Sequence, residues 1–505
     1  MNLSRILRHR LFAATVLTAI SFYVYEPAVH RVFVADQIWY FAELHGSTSL
    51  SSGLAHYDYA YSRKYWKGDD ALFRPVVLIW LAVGNTLFSY HHVLWNLATL
   101  VLHILVTISL FNLLLEIQPT AFALPFVSLF AVMTPALELV LWNHLGGYLL
   151  AYLFLTIALQ RFVRMTVSGS TSAPDIAVYT LSFTAAVFAH ESLVLICLIA
   201  SLIACVAWQR RRLLTTVRVL AVVLPLVLFA AFYLFHIRRV ERIGYVDRGD
   251  GASILDVHNM TAMPVRSLRV IRQWGLEVAL PSAIVYRVVP FERLVSRLEY
   301  SWRMPHVVLC VTVGLLALVL FLRSLSFLHT SRRWPVVAVL ASAVLAHIVV
   351  IAMGRGDYEI FTTMYYRYFF CLILVALAYA MVDFDQVRRE IASVAGVILI
   401  VLFLVHATST HAVAREIRQV NQRPSDYVTR IANFVEDHKR EAEFSFAMEN
   451  PPTDVDPEIV LIEGYPDKPL GPERRMRVSE ILFARYYRAG NAKYVLGSDG
   501  SVRTR

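Results

Sequence analysis

The polar side chains of this chain that could do chemistry stand in five short stretches, each beside a long apolar run. They are Asp36 in FVADQIWYFAEL, the segment HYDYAYSRKYWKGDDALFRP with Arg74 near its end, and Glu138 in TPALELVLWNHLGGYLL. The other two are His190 and Glu191 in FAHESLVL, and Asp357, Tyr366 and Arg367 in GRGDYEIFTTMYYRYFF. Charged groups at the mouths of apolar spans are costly, which makes these few informative. A carboxylate can take the proton of an acceptor hydroxyl or coordinate a divalent cation that neutralises a phosphate leaving group, and Arg pairs bidentately with phosphate. Brought to one face, such residues suit group transfer from a charged, lipid-linked donor. Asp58, Asp69 and Asp70 read instead as solvated loop residues. His91, His92, Asn96 and His103 read as polar residues lining a helix pair, because adjacent histidines on a helix point apart and make a poor metal site.

The elements that must position these residues are membrane helices. Of 505 residues, 57% are hydrophobic, 12% aromatic and only 17% charged, whereas a soluble chain carries roughly 25% charged residues. Residues 411–505 hold 15 Lys/Arg against 15 Asp/Glu, so the net charge of +10 belongs to residues 1–410. A basic excess confined to membrane loops fits bilayer orientation and gives no support to a nucleic-acid partner. With 20 Gly, 19 Pro and 4 Cys, collagenous, disordered and disulfide-scaffold classes are excluded. Cys197, Cys205, Cys310 and Cys371 lie inside apolar runs, so neither a disulfide framework nor a zinc site is implied.

A span needs about 20 mostly apolar residues. Candidates fall near 10–27, 93–115, 120–135, 146–162, 175–189, 192–208, 218–236, 306–323, 335–352, 368–383 and 391–408, about eleven in all. With Arg5, Arg8 and Arg10 placed in the cytoplasm, alternation also puts Arg161 and Arg164, Arg210 to Arg212 with Arg218, Arg323 with Arg332 and Arg333, and Arg388 with Arg389 on that side. The first span, without a small-residue cleavage site behind it, reads as a retained signal anchor. The apolar stretch Phe73 to Ser89 would invert every later loop, so it is expected as a juxtamembrane or half-inserted helix on the outer side. The expected fold is therefore an all-α polytopic membrane protein with outer loops at 28–92 and 237–305. All five polar stretches open to the outer face. In the second loop, Arg266, Arg269 and Arg272 recur every third residue beside Val265, Leu268, Ile271 and Trp274, which suits an interfacial helix on an anionic surface. Residues 411–505 read as a small extracytoplasmic α/β domain: a helix at 411–440, strands at 443–448 and 458–463, a helix near 476–488, and a strand from Lys493 to Leu496.

The order of these motifs resembles the GT-C membrane glycosyltransferases, and most of all the transmembrane-and-tetratricopeptide protein O-mannosyltransferases and their bacterial relatives. Phe33, Val34 and Asp36 resemble the family's first-loop motif, and Phe73, Arg74 and Pro75 its RP motif. Thr134, Pro135, Glu138, Val140, Trp142 and Gly146 are similar to its H-P-x-x-x-E-x-V-x-W segment, Ala189, His190 and Glu191 to its S-K-E turn, and Arg367 with Tyr368 to its late R-Y motif. The sequence departs from the family at Gln37, which replaces a second Asp, at the spacing from Pro135 to Glu138, which is one residue shorter, at His144, which stands near the family's Arg, and at His190, which replaces Lys. No 34-residue repeat follows the membrane part.

The resemblance implies a GT-C-like transmembrane domain over 1–410 and transfer of a sugar from a polyprenyl-phosphate-linked donor to a hydroxyl on a glycan, lipid or protein, on the extracytoplasmic face of a bacterial inner or plasma membrane. It implies Asp36 as the base and Glu138 as a second acidic group, the two that would hold a divalent cation. Arg74, His190, Glu191, Tyr366 and Arg367 would bind the lipid-phosphate donor. Two rivals remain open at this point: a flippase for a lipid-linked oligosaccharide, which predicts inverted repeats and midplane charges, and a non-catalytic assembly protein on the same scaffold.

Overall fold

A computed structural model of the chain describes residues 9–32, 50–52, 54, 74–169, 172–242, 266–267, 333–354, 364–384, 389–441, 443–449, 454, 456, 458–461, 474–483, 486–488, 492–497 and 501–504. Its helices are α1 (Arg10–Tyr25), α2 (Pro75–Phe88), α3 (His92–Ile117), α4 (Ala123–Ala131), α5 (Thr134–Leu141), α6 (Gly146–Val163) and α7 (Ala173–Ala189). They continue with α8 (Leu193–Arg210), α9 (Thr216–Arg242), α10 (Trp334–Gly354), α11 (Met364–Met381), α12 (Arg389–His438) and the short α13 (Val478–Leu482).

Ten of the eleven expected spans are present as helices or as the α4–α5 pair; the eleventh, 306–323, lies outside the described residues. Six helices among the described residues are long and apolar enough to cross a membrane, and α4 with α5, bent by 53°, makes a seventh. Ala173–Ala189, Trp334–Val349 and Tyr366–Met381 are shorter apolar helices. The chain is an integral membrane protein. Of the expected interfacial helix, only Arg266 and Ser267 are described.

Charge gathers at one end of the bundle. Glu116, at the close of α3, takes Arg10 from α1 at 3.3 Å and Arg164 from the end of α6. Asp175 takes Arg161 at 3.0 Å, and Arg333 pairs with Asp383 at 3.2 Å. Arg210 lies over the Trp334 ring at 4.8 Å, tying the end of α8 to the start of α10. Of the basic clusters that sequence alternation assigns to one side, the described members Arg10, Arg161, Arg164, Arg210 and Arg333 thus share one end, and the turns 143–147 and 190–192 close the opposite end.

The break between α4 and α5 frees backbone carbonyls inside the bundle, where an unsatisfied group costs several kcal/mol. Three helices supply partners in succession. His103 Nε2 on α3 donates to the carbonyl of Ala131 at 3.1 Å and Thr410 Oγ1 on α12 to that of Val132 at 2.8 Å, while the Tyr25 hydroxyl on α1 donates at 2.9 Å to that of Met133, which also takes the Ala136 N–H at 3.0 Å. With Nε2 donating, His103 Nδ1 accepts from the Tyr368 hydroxyl at 2.9 Å.

α12 is 50 residues long, about 75 Å at 1.5 Å per residue. The expected tail helix and the last span are one helix, because His406 to Arg415 contains no Gly or Pro to break it. Beyond it, β1 (Phe446–Glu449) pairs in parallel with β4 (Tyr494–Gly497), which pairs antiparallel with β5 (Val502–Thr504). β2 (Glu458–Leu461) and β3 (Arg474–Arg477) form an antiparallel pair. The expected helix near 476–488 shrinks to α13, since Arg474 to Arg477 is drawn into pairing with β2. Phe446, Phe483 and Leu496 of this region share an apolar core with Val77 and Leu81 of α2 and with Tyr90 and Trp95.

Candidate functional site

α2 begins at Pro75, which suits the first helical position because its missing N–H would be unpaired there. That start leaves Arg74 as the flanking residue, 5% exposed, at the end of the bundle away from the charge clusters. Its Nε donates to Glu191 Oε2 at 2.6 Å and its second guanidine nitrogen to Glu191 Oε1. The remaining nitrogen donates to the Tyr148 hydroxyl, and the guanidinium carbon sits 5.3 Å from the centre of the Tyr148 ring. This is a two-pronged ion pair with a third hydrogen bond across it. Burial alone pushes the Glu191 carboxyl up, but the charge and N–H groups of Arg74 outweigh it and hold the group well below the usual carboxylate range.

Glycine explains how α2 comes so close. A side chain on Gly147 would meet Val77 Cγ2 at 2.6 Å and its Cα at 2.8 Å, and one on Gly146 would meet the Trp80 ring. Only hydrogen at both positions lets α2 lie against the start of α6, which brings Arg74 to Tyr148.

His190 caps α7 in the turn that leads to α8. The backbone N–H of Ser192 donates to its Nδ1 at 3.1 Å, with the Ser192 hydroxyl 2.8 Å from the same nitrogen. A backbone N–H can only donate, so Nδ1 is the acceptor and the proton of the neutral ring sits on Nε2. The ring lies 4.8 Å from that of Tyr148 and 5.9 Å, edge to face, from that of Tyr366. Tyr366 is in turn 5.4 Å from His347, whose Nε2 donates to the Tyr366 carbonyl at 2.9 Å. Arg367, next on α11, is fully buried, and below it Tyr152 stacks on Tyr368 and Phe369.

The five residues expected to bind donor come from three separated segments, and four of them form one neighbourhood: Arg74 on Glu191, Tyr148 between Arg74 and His190, and His190 on Tyr366, with Arg367 next to Tyr366 in the chain. Asp36 and Asp357 lie outside the described residues, as does the side chain of Glu138, whose backbone belongs to α5. The chain leading toward Asp36 is fixed by Asn96, which donates to the carbonyls of Val29 at 2.7 Å and Arg31 at 2.9 Å. Asn143 donates to Asn96 Oδ1 at 2.7 Å, and Trp80 of α2 to the Asn143 carbonyl at 2.8 Å. Among the described residues, no three His, Cys, Asp or Glu side chains come together to hold a metal ion.

Neither a protein-family model nor a curated protein matches the chain. Among solved structures, it is similar to the crystal structure of ArnT from Cupriavidus metallidurans bound to undecaprenyl phosphate, at 12% identity and a TM-score of 0.43, over 87% of this chain and 83% of that one.

Sequence reasoning missed Tyr148, His347 and the Asn96–Asn143 hub as parts of this end of the bundle. Tyr148 stood inside a quoted motif, two positions after the glycine pair begins, but nothing in its type marks it as the partner of an arginine 74 positions away. His347 sits in an apolar helix whose sequence gives no sign of which turn faces Tyr366.

Proposed function

We propose that the chain is a GT-C-type membrane glycosyltransferase that takes a sugar from a polyprenyl-phosphate-linked donor and moves it to a hydroxyl acceptor at the extracytoplasmic end of its bundle. The observation that carries this reading is the meeting of Arg74, Tyr148, His190, Glu191 and Tyr366 at the end opposite the basic clusters. Short basic loops face the cytoplasm, so that opposite end is extracytoplasmic, with the N-terminus inside and the C-terminal region outside.

The reaction is a direct displacement. The acceptor oxygen bonds to the anomeric carbon, the bond from that carbon to the phosphate oxygen breaks, and the lipid phosphate leaves with the electron pair. Asp36 takes the acceptor proton. Arg74 and Arg367 receive the developing phosphate charge. Glu191 and Tyr148 keep the Arg74 fork in one plane, and the Nε2 proton of His190 provides a neutral donor beside it. Asp36 and Glu138 are the carboxylates that would hold a divalent cation, which would supply charge neutralisation at the phosphate. A lipid donor places the chemistry at the bilayer surface and makes a nucleotide-binding glycine loop unnecessary.

The test is comparative glycan analysis by mass spectrometry of cells carrying the wild-type gene, no gene, or Asp36→Asn. The expected result is one glycan class that loses a sugar in both the deletion and the variant, with the variant inserted normally. Glycans unchanged by deletion would reject the enzyme reading, and an active Asp36→Asn would reject only Asp36 as base.

A further inference from the structure

The C-terminal region makes a set of specific contacts that its distance in sequence from the membrane motifs would not suggest. At the far end of α2, the Ser89 hydroxyl donates to Glu436 Oε1 of α12 at 2.6 Å, across 347 positions. The Tyr90 ring packs at 4.6 Å on that of Phe483, which follows α13. His92 Nε2, opening α3, is 2.8 Å from the Ser425 hydroxyl of α12. Trp95 completes the joint: its indole N–H donates to the Ser89 carbonyl at 3.0 Å and its ring meets those of Phe88 and Trp80.

α2 is therefore fastened at both ends. The far end is held by α12, the apolar core around Phe446 and Phe483 takes in Leu81 and Val77 along the helix, and the near end carries Arg74 into its pair with Glu191. A 14-residue helix is a rod of about 20 Å, and rods transmit position. If the far end shifts, the near end tilts against the Gly146–Gly147 surface, and the Arg74 fork leaves the plane set by Glu191 and Tyr148.

We propose that the C-terminal domain is a positioning element of the membrane site, acting through α2 on Arg74, with Phe483, Tyr90, Ser89 and Glu436 as its positioning residues. The domain is then not a separate binding module but the outer half of a clamp whose inner half is α6.

The experiment uses full-length protein in detergent micelles. Melting temperatures are measured for Phe483→Ala, Arg74→Ala and the double variant, and binding of polyprenyl monophosphate is followed by native mass spectrometry. Residues that do not touch and share no partner give additive effects; the clamp predicts that the two melting decrements do not add. On the functional reading above, it also predicts that Phe483→Ala weakens polyprenyl monophosphate binding about fivefold, that Phe483→Tyr restores it, and that Phe483→Ala has no further effect once Arg74 is replaced by alanine. Should Phe483→Ala fail to fold, Ser89→Ala enters the same cycle. Additive melting decrements, with any binding loss identical in the presence and absence of Arg74, would overturn the proposal. Non-additive decrements in a protein whose wild type binds no polyprenyl monophosphate would uphold the clamp and reject the donor reading instead.

Discussion

Arg74 and Glu191 lie 117 positions apart in sequence, yet Arg74 presents two of its nitrogens to the two carboxylate oxygens of Glu191, with Nε at 2.6 Å from Oε2. Two turns of chain at one end of the bundle are joined by this pair. Removing the Glu191 charge would take a two-pronged carboxylate partner from a guanidinium that is 5% exposed. A fully buried pair broken this way costs about 3–5 kcal/mol, but the Glu191 side chain is 36% exposed, so water offsets part of the loss. Glu191→Gln is expected to destabilise the protein by about 2 kcal/mol. Arg74→Ala should then cost less when combined with Glu191→Gln than it does in wild type. Chemical unfolding in micelles measures both, and equal costs in the two backgrounds would show that the pair is not coupled.

The same pair sets a pH dependence. The folded-state pKa of Glu191 is depressed, so its stabilising contribution is complete above the unfolded-state value of about 4.3 and declines as pH falls from there through the folded value. The stability gap between wild type and Glu191→Gln should be flat from about pH 5.5 to 8 and narrow only below about pH 4. Melting curves across that range provide the check; a gap that closes between about pH 8 and 6 would mean that another group is responsible.

What the sequence made legible follows from period and charge. Apolar runs of span length mark the helices, and the asymmetry of short Arg-rich loops sorts their ends, so the neighbourhood of Arg74, His190, Glu191 and Arg367 could be anticipated as sharing a face. Pairing within that face could not. Whether Arg74 reaches Glu191 or solvent depends on the absence of a side chain at Gly147, on Trp80 reaching the Asn143 carbonyl and on Tyr90 meeting Phe483. These are packing facts between segments far apart in the chain, with no periodic trace. The continuity of α12 was hidden for another reason: its apolar and charged halves differ in composition although the backbone runs through both.

Gly147 offers a sharp contrast with Gly396. A methyl group at Gly147 would meet backbone, the Val77 Cα, at 2.8 Å, and no rotamer change relieves that. Gly147→Ala should cost about 1–3 kcal/mol as an overpacking substitution and should weaken the Arg74 contact with Tyr148. At Gly396 in α12, the nearest neighbour is Phe122 Cε1 at 4.0 Å. There alanine should stabilise the helix by a few tenths to about 1 kcal/mol. Opposite signs in the two unfolding midpoints are the expected outcome; like signs would mean that α2 does not rest on α6 as described.

The capped break between α4 and α5 is expected to behave as three separable hydrogen bonds. Thr410→Val keeps the shape of the side chain but removes the donor to the Val132 carbonyl and the longer 3.2 Å contact with the Thr134 hydroxyl, and Tyr25→Phe removes the hydroxyl donor to the Met133 carbonyl, which keeps the Ala136 N–H. Hydrogen bonds between membrane helices are worth about 0.6 kcal/mol on average and up to about 1.7, so each variant should lose about that much. His103→Leu should lose more, because His103 joins the Ala131 carbonyl to the Tyr368 hydroxyl. Denaturant unfolding of the three variants tests the order, and a His103→Leu protein as stable as wild type would contradict it.

Under the proposed reaction, Asp36 and Arg367 fail in different ways. As the base, Asp36 acts on the acceptor proton, so Asp36→Asn should lower kcat by about 10²–10⁴-fold while leaving KM for the lipid donor nearly unchanged. Arg367 is fully buried beside Tyr366, where a planar fork cannot be replaced by the point charge of lysine. Arg367→Lys should therefore raise KM for the polyprenyl-phosphate-linked sugar and lower kcat together, because the phosphate is held in the ground state and gains charge in the transition state. Steady-state kinetics with a purified lipid-linked sugar series separates the two. A pure KM effect at Asp36 would move that residue from proton transfer to donor binding and leave Glu138 as the remaining carboxylate for the base.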